Sequence, residues 1–109
     1  MTLPQDILEK VVSESRKALG GILVSVVLYG SFARGDNTPE SDLDVALFVR
    51  RELNRQEHKD MVACFSQLCM DYDMVFSPHD IVVEKYEQWV SVLPFYRNIR
   101  REGIVLWTA

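Results

Sequence analysis

The apolar run ILVSVVLY, at residues 22–29, restricts the possible folds of this 109-residue chain more than any other segment does. The run is nearly continuous and rich in β-branched side chains. A half-exposed strand alternates apolar and polar residues, whereas an uninterrupted run is typical of a strand covered on both faces. We therefore expect a central β-strand with further structure packed against both of its sides.

The segments around this run have helical or extended patterns. In chain order, the predicted elements are a helix at residues 2–21, a strand at 42–49, an amphipathic helix at 54–70, a strand at 72–76, short helices at 82–92 and 94–103, and a strand or packed tail at 104–107. Thr2 and Gln5 have capping-box spacing, as do Asn54 and Glu57. The alternation of strands and helices predicts a single α/β domain over residues 1–109, with a small mixed β-sheet flanked by helices.

Composition and charge argue against several classes of protein. The net charge of −4 disfavours a broad basic surface, so we expect no direct binding to nucleic acid. The first residues lack the pattern of a signal peptide, and no stretch approaches the roughly 18 apolar residues of a membrane span. On one helix, Cys64 and Cys69 would point about 140° apart, which disfavours a disulfide. These features predict a cytoplasmic protein without a membrane partner.

The histidines and the C-terminal aromatic residues are expected to be structural. His58 is predicted on the polar side of its helix and His79 in a loop, and neither has a ligand-spaced Cys or His nearby. No zinc site is therefore predicted. Core packing is the expected role of the aromatic residues near the C-terminus, although their density leaves a partner surface open: Trp89, Phe95, Tyr96 and Trp107.

Asp42 and Asp44 open the apolar strand DLDVALFV, where carboxylates are unusual. Residues two apart on a strand share a face, so the two side chains are expected to project together about 7 Å apart. Like charges held in this way raise each other's pKa unless a cation lies between them. Mg²⁺ prefers one or two carboxylates together with substrate phosphates. By itself, such a pair is more typical of a strand whose first residues simply face solvent.

A turn with the sequence GSFARG follows the first strand at residues 30–35. Gly30 would let a ligand approach the backbone closely, and the N–H groups of the turn together with the Ser31 hydroxyl could bind phosphate oxygens. Arg34 and Gly35 add a cation and a second flexible point. Each of these residues alone is ordinary, but together they are consistent with a polyphosphate site.

The combination of Gly-Ser, ten residues and Asp-x-Asp between two apolar strands resembles the signature of the polymerase β-like nucleotidyltransferase superfamily. The sequence GSFARG…SDLDVAL is most similar to the minimal nucleotidyltransferase branch of that superfamily. The resemblance covers most of the chain. It implies the polymerase β-like nucleotidyltransferase fold.

The resemblance also implies roles for individual residues. Gly30, Ser31 and Arg34 would hold the nucleotide triphosphate, and Asp42 and Asp44 would hold two Mg²⁺ ions. A third carboxylate, on a strand beside the pair, would bind the catalytic metal and help to deprotonate the acceptor. Asp73 in YDMVF is the expected third ligand. The alternatives are Asp71, which would share its strand face, and Asp80, which follows Pro78 in a predicted loop.

By this resemblance, the protein is a Mg²⁺-dependent enzyme that uses ATP. Minimal members resemble antitoxins that transfer AMP to a tyrosine of a helical HEPN-type ribonuclease toxin, so a partner of that type is the expected acceptor. One alternative is a module that neutralises its partner by contact alone, and another is a nucleotide sensor. The sequence leaves open whether the protein forms a homo-oligomer.

Overall fold

A computed structural model describes residue 3 and residues 5–109. The helices are α1 (Gln5–Leu19), α2 (Ser31–Arg34), α3 (Arg55–Tyr72), α4 (Val83–Trp89) and α5 (Pro94–Glu102), with a 3₁₀ turn at Gly20–Ile22. The strands are β1 (Leu23–Tyr29), β2 (Leu43–Val49), β3 (Phe76–Val82) and β4 (Ile104–Thr108). The predicted capping box at Thr2 and Gln5 lies partly outside the described residues, since Thr2 is not among them.

The four strands form one mixed sheet with the order β3-β2-β1-β4. Strand β1 pairs antiparallel with both β2 and β4, whereas β2 and β3 are parallel. Parallel neighbours require a crossover connection, and α3 supplies it. The predicted mixed α/β sheet, with the run after Gly21 as an interior strand, is confirmed.

Alternation along β2 divides its side chains between two apolar clusters. Its odd-numbered residues, from Leu43 to Val49, belong to the cluster that also contains residues of α1 and α3. Ala46 and Phe48 belong to the cluster on the opposite face, together with Ile99 of α5. Because the sheet is covered on both faces, a polar side chain on β2 needs a gap in that cover. Asp44 lies at the end of the strand, where such a gap exists.

The third strand begins later than predicted. Helix α3 continues to Tyr72, and Asp73 ends it in the left-handed conformation with φ of 50°. Strand β3 starts only at Phe76, after the Val75 carbonyl has accepted a hydrogen bond from the Leu43 N–H at 2.9 Å. The prediction of a strand at residues 72–76 that carries Asp73 was therefore wrong.

Several side chains also differ from expectation. Trp89 and Phe95, which were expected to pack in the core, are each 43% exposed. The capping box of α3 is confirmed, with the Glu57 N–H donating to Asn54 Oδ1 at 2.8 Å. Cys64 and Cys69 are free thiols, as predicted. Within the part of the chain that the structure describes, no helix has the length and apolar character needed to cross a membrane.

Candidate active site

Asp42 and Asp44 lie on the same side of the sheet, at the N-terminal end of β2. Asp44 is in register with Tyr29 of β1 on one side and with Ser77 of β3 on the other. The Ser77 hydroxyl donates to Asp42 Oδ2 at 3.3 Å, which ties the residue before β2 to the neighbouring strand. Asp42 is exposed and Asp44 is half-buried. The strand alternation thus brings both carboxylates to one open edge of the sheet.

Gly30 lies directly against the Asp44 carboxylate. Its φ of 79° and ψ of −157° place it in a region that residues with a side chain rarely adopt. A Cβ atom at Gly30 would overlap Asp44 Oδ2 and lie 3.1 Å from Asp44 Cγ. Glycine at this position therefore allows the turn after β1 and the carboxylate of β2 to occupy adjacent space.

The turn after Gly30 forms the single helical turn α2. The Gly30 carbonyl accepts hydrogen bonds from the N–H groups of Ala33 and Arg34 at 3.1 and 3.0 Å. Gly35 ends the turn in the left-handed conformation, with φ of 85°. The first N–H groups of any helical turn lack a helical acceptor, and here they lie beside the carboxylate pair. Ser31, which begins the turn, is half-buried.

Arg34 links this turn to the C-terminal part of the chain. Its Nε donates to Asp36 Oδ2 at 3.1 Å, and its Nη1 donates to Glu102 Oε1 at 3.0 Å. Glu102 is the last residue of α5. The guanidinium group is therefore held by two carboxylates, and its positive charge opposes the effects that raise the pKa of Asp44.

The pKa of Asp44 is raised above its ordinary value. Burial of the carboxyl is the main cause, and the negative charge of Asp42 adds to it, while a positive charge on His79 or Arg34 opposes the shift. The ionised form of such a carboxyl is disfavoured in the free protein. A cation bound beside it would stabilise the carboxylate. Two carboxylates beside a glycine turn fit Mg²⁺ held jointly with phosphate oxygens.

A third carboxylate does not join the pair. Across the described residues, no group of three or more His, Cys, Asp or Glu side chains is arranged to hold a metal ion. Asp73 ends α3 and is exposed. Asp71 lies on α3 and accepts a hydrogen bond from Gln67 Nε2 at 2.8 Å, so its predicted strand position was wrong. Asp80 belongs to β3 and not to a loop, and it lines a cleft of about 410 Å³ beside α3.

Sequence reasoning missed Tyr29 and His79, which extend the site along the same face. His79 was predicted in a loop, but it lies in β3, in register with Ala46. The Tyr29 hydroxyl is 2.8 Å from His79 Nδ1. Burial raises the pKa of Tyr29, and the charge of Asp44 raises it further, so the phenol stays protonated. The alternation of Ser77, His79 and Ile81 would have revealed this face had the strand been placed at residues 76–82.

The Phe95 ring at the start of α5 packs against both residues of this hydrogen bond. Its centroid lies 5.7 Å from that of Tyr29 and 5.8 Å from that of His79, both in edge-to-face geometry. Tyr29, His79 and Phe95 thus form an aromatic cluster next to Asp44, which is in register with Tyr29.

Two proteins of Methanocaldococcus jannaschii are similar to this chain in sequence. Putative protein adenylyltransferase MJ0141 is 34% identical over 73 residues, which cover 63% of this chain and 74% of that protein. Putative protein adenylyltransferase MJ0604 is 30% identical over 105 residues, which cover 91% of this chain and 97% of that protein.

Solved structures with a similar fold come from toxin–antitoxin complexes. A toxin–antitoxin structure with AMP-PNP gives a TM-score of 0.61 at 15% identity, over 94% of this chain and 73% of that chain. A structure of the tri-AMPylated Shewanella oneidensis HEPN toxin with MNT antitoxin gives 0.54 at 15% identity, over 96% and 72% of the two chains. At these identities, the similarity shows the fold.

The family match is consistent with the geometry around Gly30 and the Asp42–Asp44 pair. The sequence model of the nucleotidyltransferase domain matches residues 7–101, which include every strand except β4. From this match and the two similar archaeal proteins, the chain belongs to the nucleotidyltransferase domain family and is a nucleotidyltransferase.

Proposed function

We propose that this protein transfers AMP from ATP to a hydroxyl group of a partner protein, in a reaction that depends on Mg²⁺. The observation that carries the proposal is the contact between Gly30 and the Asp44 carboxylate, with Asp42 nearby and hydrogen-bonded to Ser77, the register partner of Asp44. This arrangement puts a phosphate-accessible backbone turn and a pair of metal-binding carboxylates next to each other.

In this proposal, the turn at Gly30 and Ser31 binds the triphosphate, and Arg34 contributes positive charge at its edge. Asp42 and Asp44 would hold Mg²⁺, which supplies charge compensation for the phosphate oxygens. The acceptor oxygen forms a bond to the α-phosphorus as the bond from that phosphorus to the bridging oxygen breaks. Pyrophosphate leaves with the electron pair, and the hydroxyl proton goes to water. The chain contributes mainly orientation and electrostatic stabilisation.

The surface beside the site favours a protein as the acceptor. Phe95, which contacts Tyr29, is close in sequence to further exposed apolar residues between the end of α4 and the start of α5: Trp89, Val92 and Leu93. Clusters of exposed apolar side chains are typical of protein-binding surfaces. The names of the two archaeal relatives refer to protein adenylyltransferases. A HEPN toxin is AMPylated in one structure of similar fold, so we propose a tyrosine of a HEPN-type toxin as the acceptor and an antitoxin role for this chain.

A direct test is to incubate the protein with labelled ATP, Mg²⁺ and a co-encoded HEPN-type protein. The AMP transferred to the partner is then detected by mass spectrometry. The proposal predicts tyrosine-linked AMP with the wild-type protein and none with Asp42→Asn/Asp44→Asn. Asp60→Asn/Asp71→Asn on α3 is the matched control and should behave as the wild type.

The lack of a third carboxylate among the described residues favours one other candidate, a module that neutralises its partner by contact alone. That candidate predicts full neutralisation of the toxin without incorporated label. It also predicts equal neutralisation by the Asp42→Asn/Asp44→Asn variant.

A further inference from the structure

The β3 side of the active site is where an acceptor would approach. In-line displacement requires the attacking oxygen and the departing pyrophosphate on opposite sides of the α-phosphorus. If the triphosphate lies at the turn after β1, the pyrophosphate faces β1, and the acceptor arrives across β2 from β3. Ser77 and His79 are the β3 residues that face this space.

His79 is held in a defined orientation on that side. Its Nδ1 lies 2.8 Å from the hydroxyl of Tyr29, 50 residues away in sequence. Tyr29 reaches it across β2, where the residue in register with His79 is Ala46, whose small side chain leaves room for the phenol ring. Phe95 contacts both rings at its edge. The imidazole therefore has two aromatic neighbours, Tyr29 and Phe95, that restrict its rotation.

The hydrogen bond also selects a tautomer. Tyr29 is only 7% exposed, and a buried phenol needs an acceptor for its proton. Among the described residues, the hydroxyl has one hydrogen-bond partner, His79 Nδ1. When Nδ1 accepts the phenolic proton, a neutral imidazole carries its own proton on Nε2. Nε2 is on the far side of the ring from Tyr29, and the His79 side chain is exposed.

We propose that His79 of β3 belongs to the active site and that its Nε2–H donates a hydrogen bond to a non-bridging oxygen of the α-phosphate, with Tyr29 as the positioning residue. This inference rests on the proposed function. In this role, the His79 Nε2–H is a hydrogen-bond donor aimed at an oxygen that gains charge during transfer, and His79 is neither a metal ligand nor a base. Tyr29 acts through His79 by keeping its proton on Nε2.

Three variants separate the two ring nitrogens. His79→Asn puts a polar group near the Nδ1 position and removes the donor at Nε2, whereas His79→Gln puts an amide near the Nε2 position. We expect His79→Asn to lower kcat for AMP transfer by a factor on the order of 10², with KM for ATP changed by about threefold at most. His79→Gln should have a kcat close to that of the wild type. The kcat of Tyr29→Phe should lie between those of His79→Asn and His79→Gln. His58→Asn, on α3, is the matched control.

A second measurement needs no AMP transfer. Long-range ¹H–¹⁵N spectra of the labelled protein at neutral pH should show His79 in the Nε2–H tautomer, with a mixture of tautomers in Tyr29→Phe. Adding Mg²⁺ and AMP-PNP should shift the His79 Nε2 signal and leave that of His58 unchanged. If the wild type transfers no AMP but this shift occurs, the proposed function fails and the role of His79 in binding stands. An Nδ1–H tautomer would overturn the inference, as would an unshifted Nε2 signal when the Gly30 and Ser31 amides report bound nucleotide.

Discussion

Gly30 and the carboxylate of Asp44 occupy adjacent space, so close that a methyl group on Gly30 would overlap Asp44 Oδ2. The contact joins the turn after β1 to the start of β2, and it places the candidate phosphate site beside the candidate metal site. A larger side chain at either position would displace the other residue. The geometry of this pair can therefore be tested by substitution.

We expect Gly30→Ala to destabilise the fold by about 2–4 kcal/mol and to abolish binding of Mg²⁺ and AMP-PNP, since the methyl group displaces Asp44 and the positive φ is strained. Gly35→Ala is a matched control, because Gly35 has a similar φ of 85° but open space around its Cβ position. It should cost about 1 kcal/mol and leave binding intact. Thermal unfolding and a calorimetric titration measure both effects. Equal losses in the two variants would show that backbone strain alone matters.

The raised pKa of Asp44 predicts how stability depends on pH in EDTA. Because burial and Asp42 raise the folded-state pKa above the ordinary value of 3.8, folding favours the protonated carboxyl. The stabilisation from this group is present below pH 3.8 and is lost as the pH rises through the folded-state pKa. Asp44→Asn removes this loss, so the variant should be at least as stable as the wild type at pH 7. Below pH 3.8, the difference in unfolding free energy between Asp44→Asn and the wild type should become smaller.

Denaturant unfolding of both proteins from pH 3 to pH 7 measures that difference, with Asp60→Asn on α3 as the control. A variant that is much less stable than the wild type at pH 7 would show that the Asp44 carboxylate stabilises the fold and is not held there for a ligand. Saturating Mg²⁺ and AMP-PNP should stabilise the wild type and leave Asp44→Asn unchanged.

Arg34 must leave at least one of its carboxylate partners to contact a triphosphate. Glu102→Gln weakens the interaction of Arg34 with one of these partners, so we expect this variant to bind AMP-PNP about two- to fivefold more tightly in low salt. Arg34→Ala should bind AMP-PNP more weakly than the wild type. Glu84→Gln on α4 is the charge-matched control. If Glu102→Gln weakened binding as much as Arg34→Ala does, the ion pair would be what positions Arg34 for the nucleotide.

Asp73 is expected to act in the fold and not in catalysis. Glycine adopts the left-handed conformation without strain, so Asp73→Gly should stabilise the protein by up to about 1 kcal/mol, and Asp73→Ala should destabilise it by a similar amount. Both variants should transfer AMP at the wild-type rate. Thermal unfolding alongside the labelled-ATP assay separates the two roles. A hundredfold loss of transfer in Asp73→Gly, with unchanged stability, would restore Asp73 as a member of the site.

The sequence by itself determined the strands β1 and β2 and the face on which the aspartates lie. Both properties come from local rules. The run before Gly30 is apolar throughout because β1 is an interior strand with both faces covered, and side-chain alternation with a period of two puts Asp42 and Asp44 together whatever else the chain does.

Tertiary structure alone decided where β3 begins and which side chains complete the site. The end of α3 depends on one residue in the left-handed conformation, Asp73, and the start of β3 depends on pairing with Leu43 of β2. The pairing of β3 with β2 joins distant parts of the chain, so no local pattern encodes where β3 begins. For the same reason, the bond between Tyr29 and His79 could not be anticipated, because it exists only once β2 lies between their two strands.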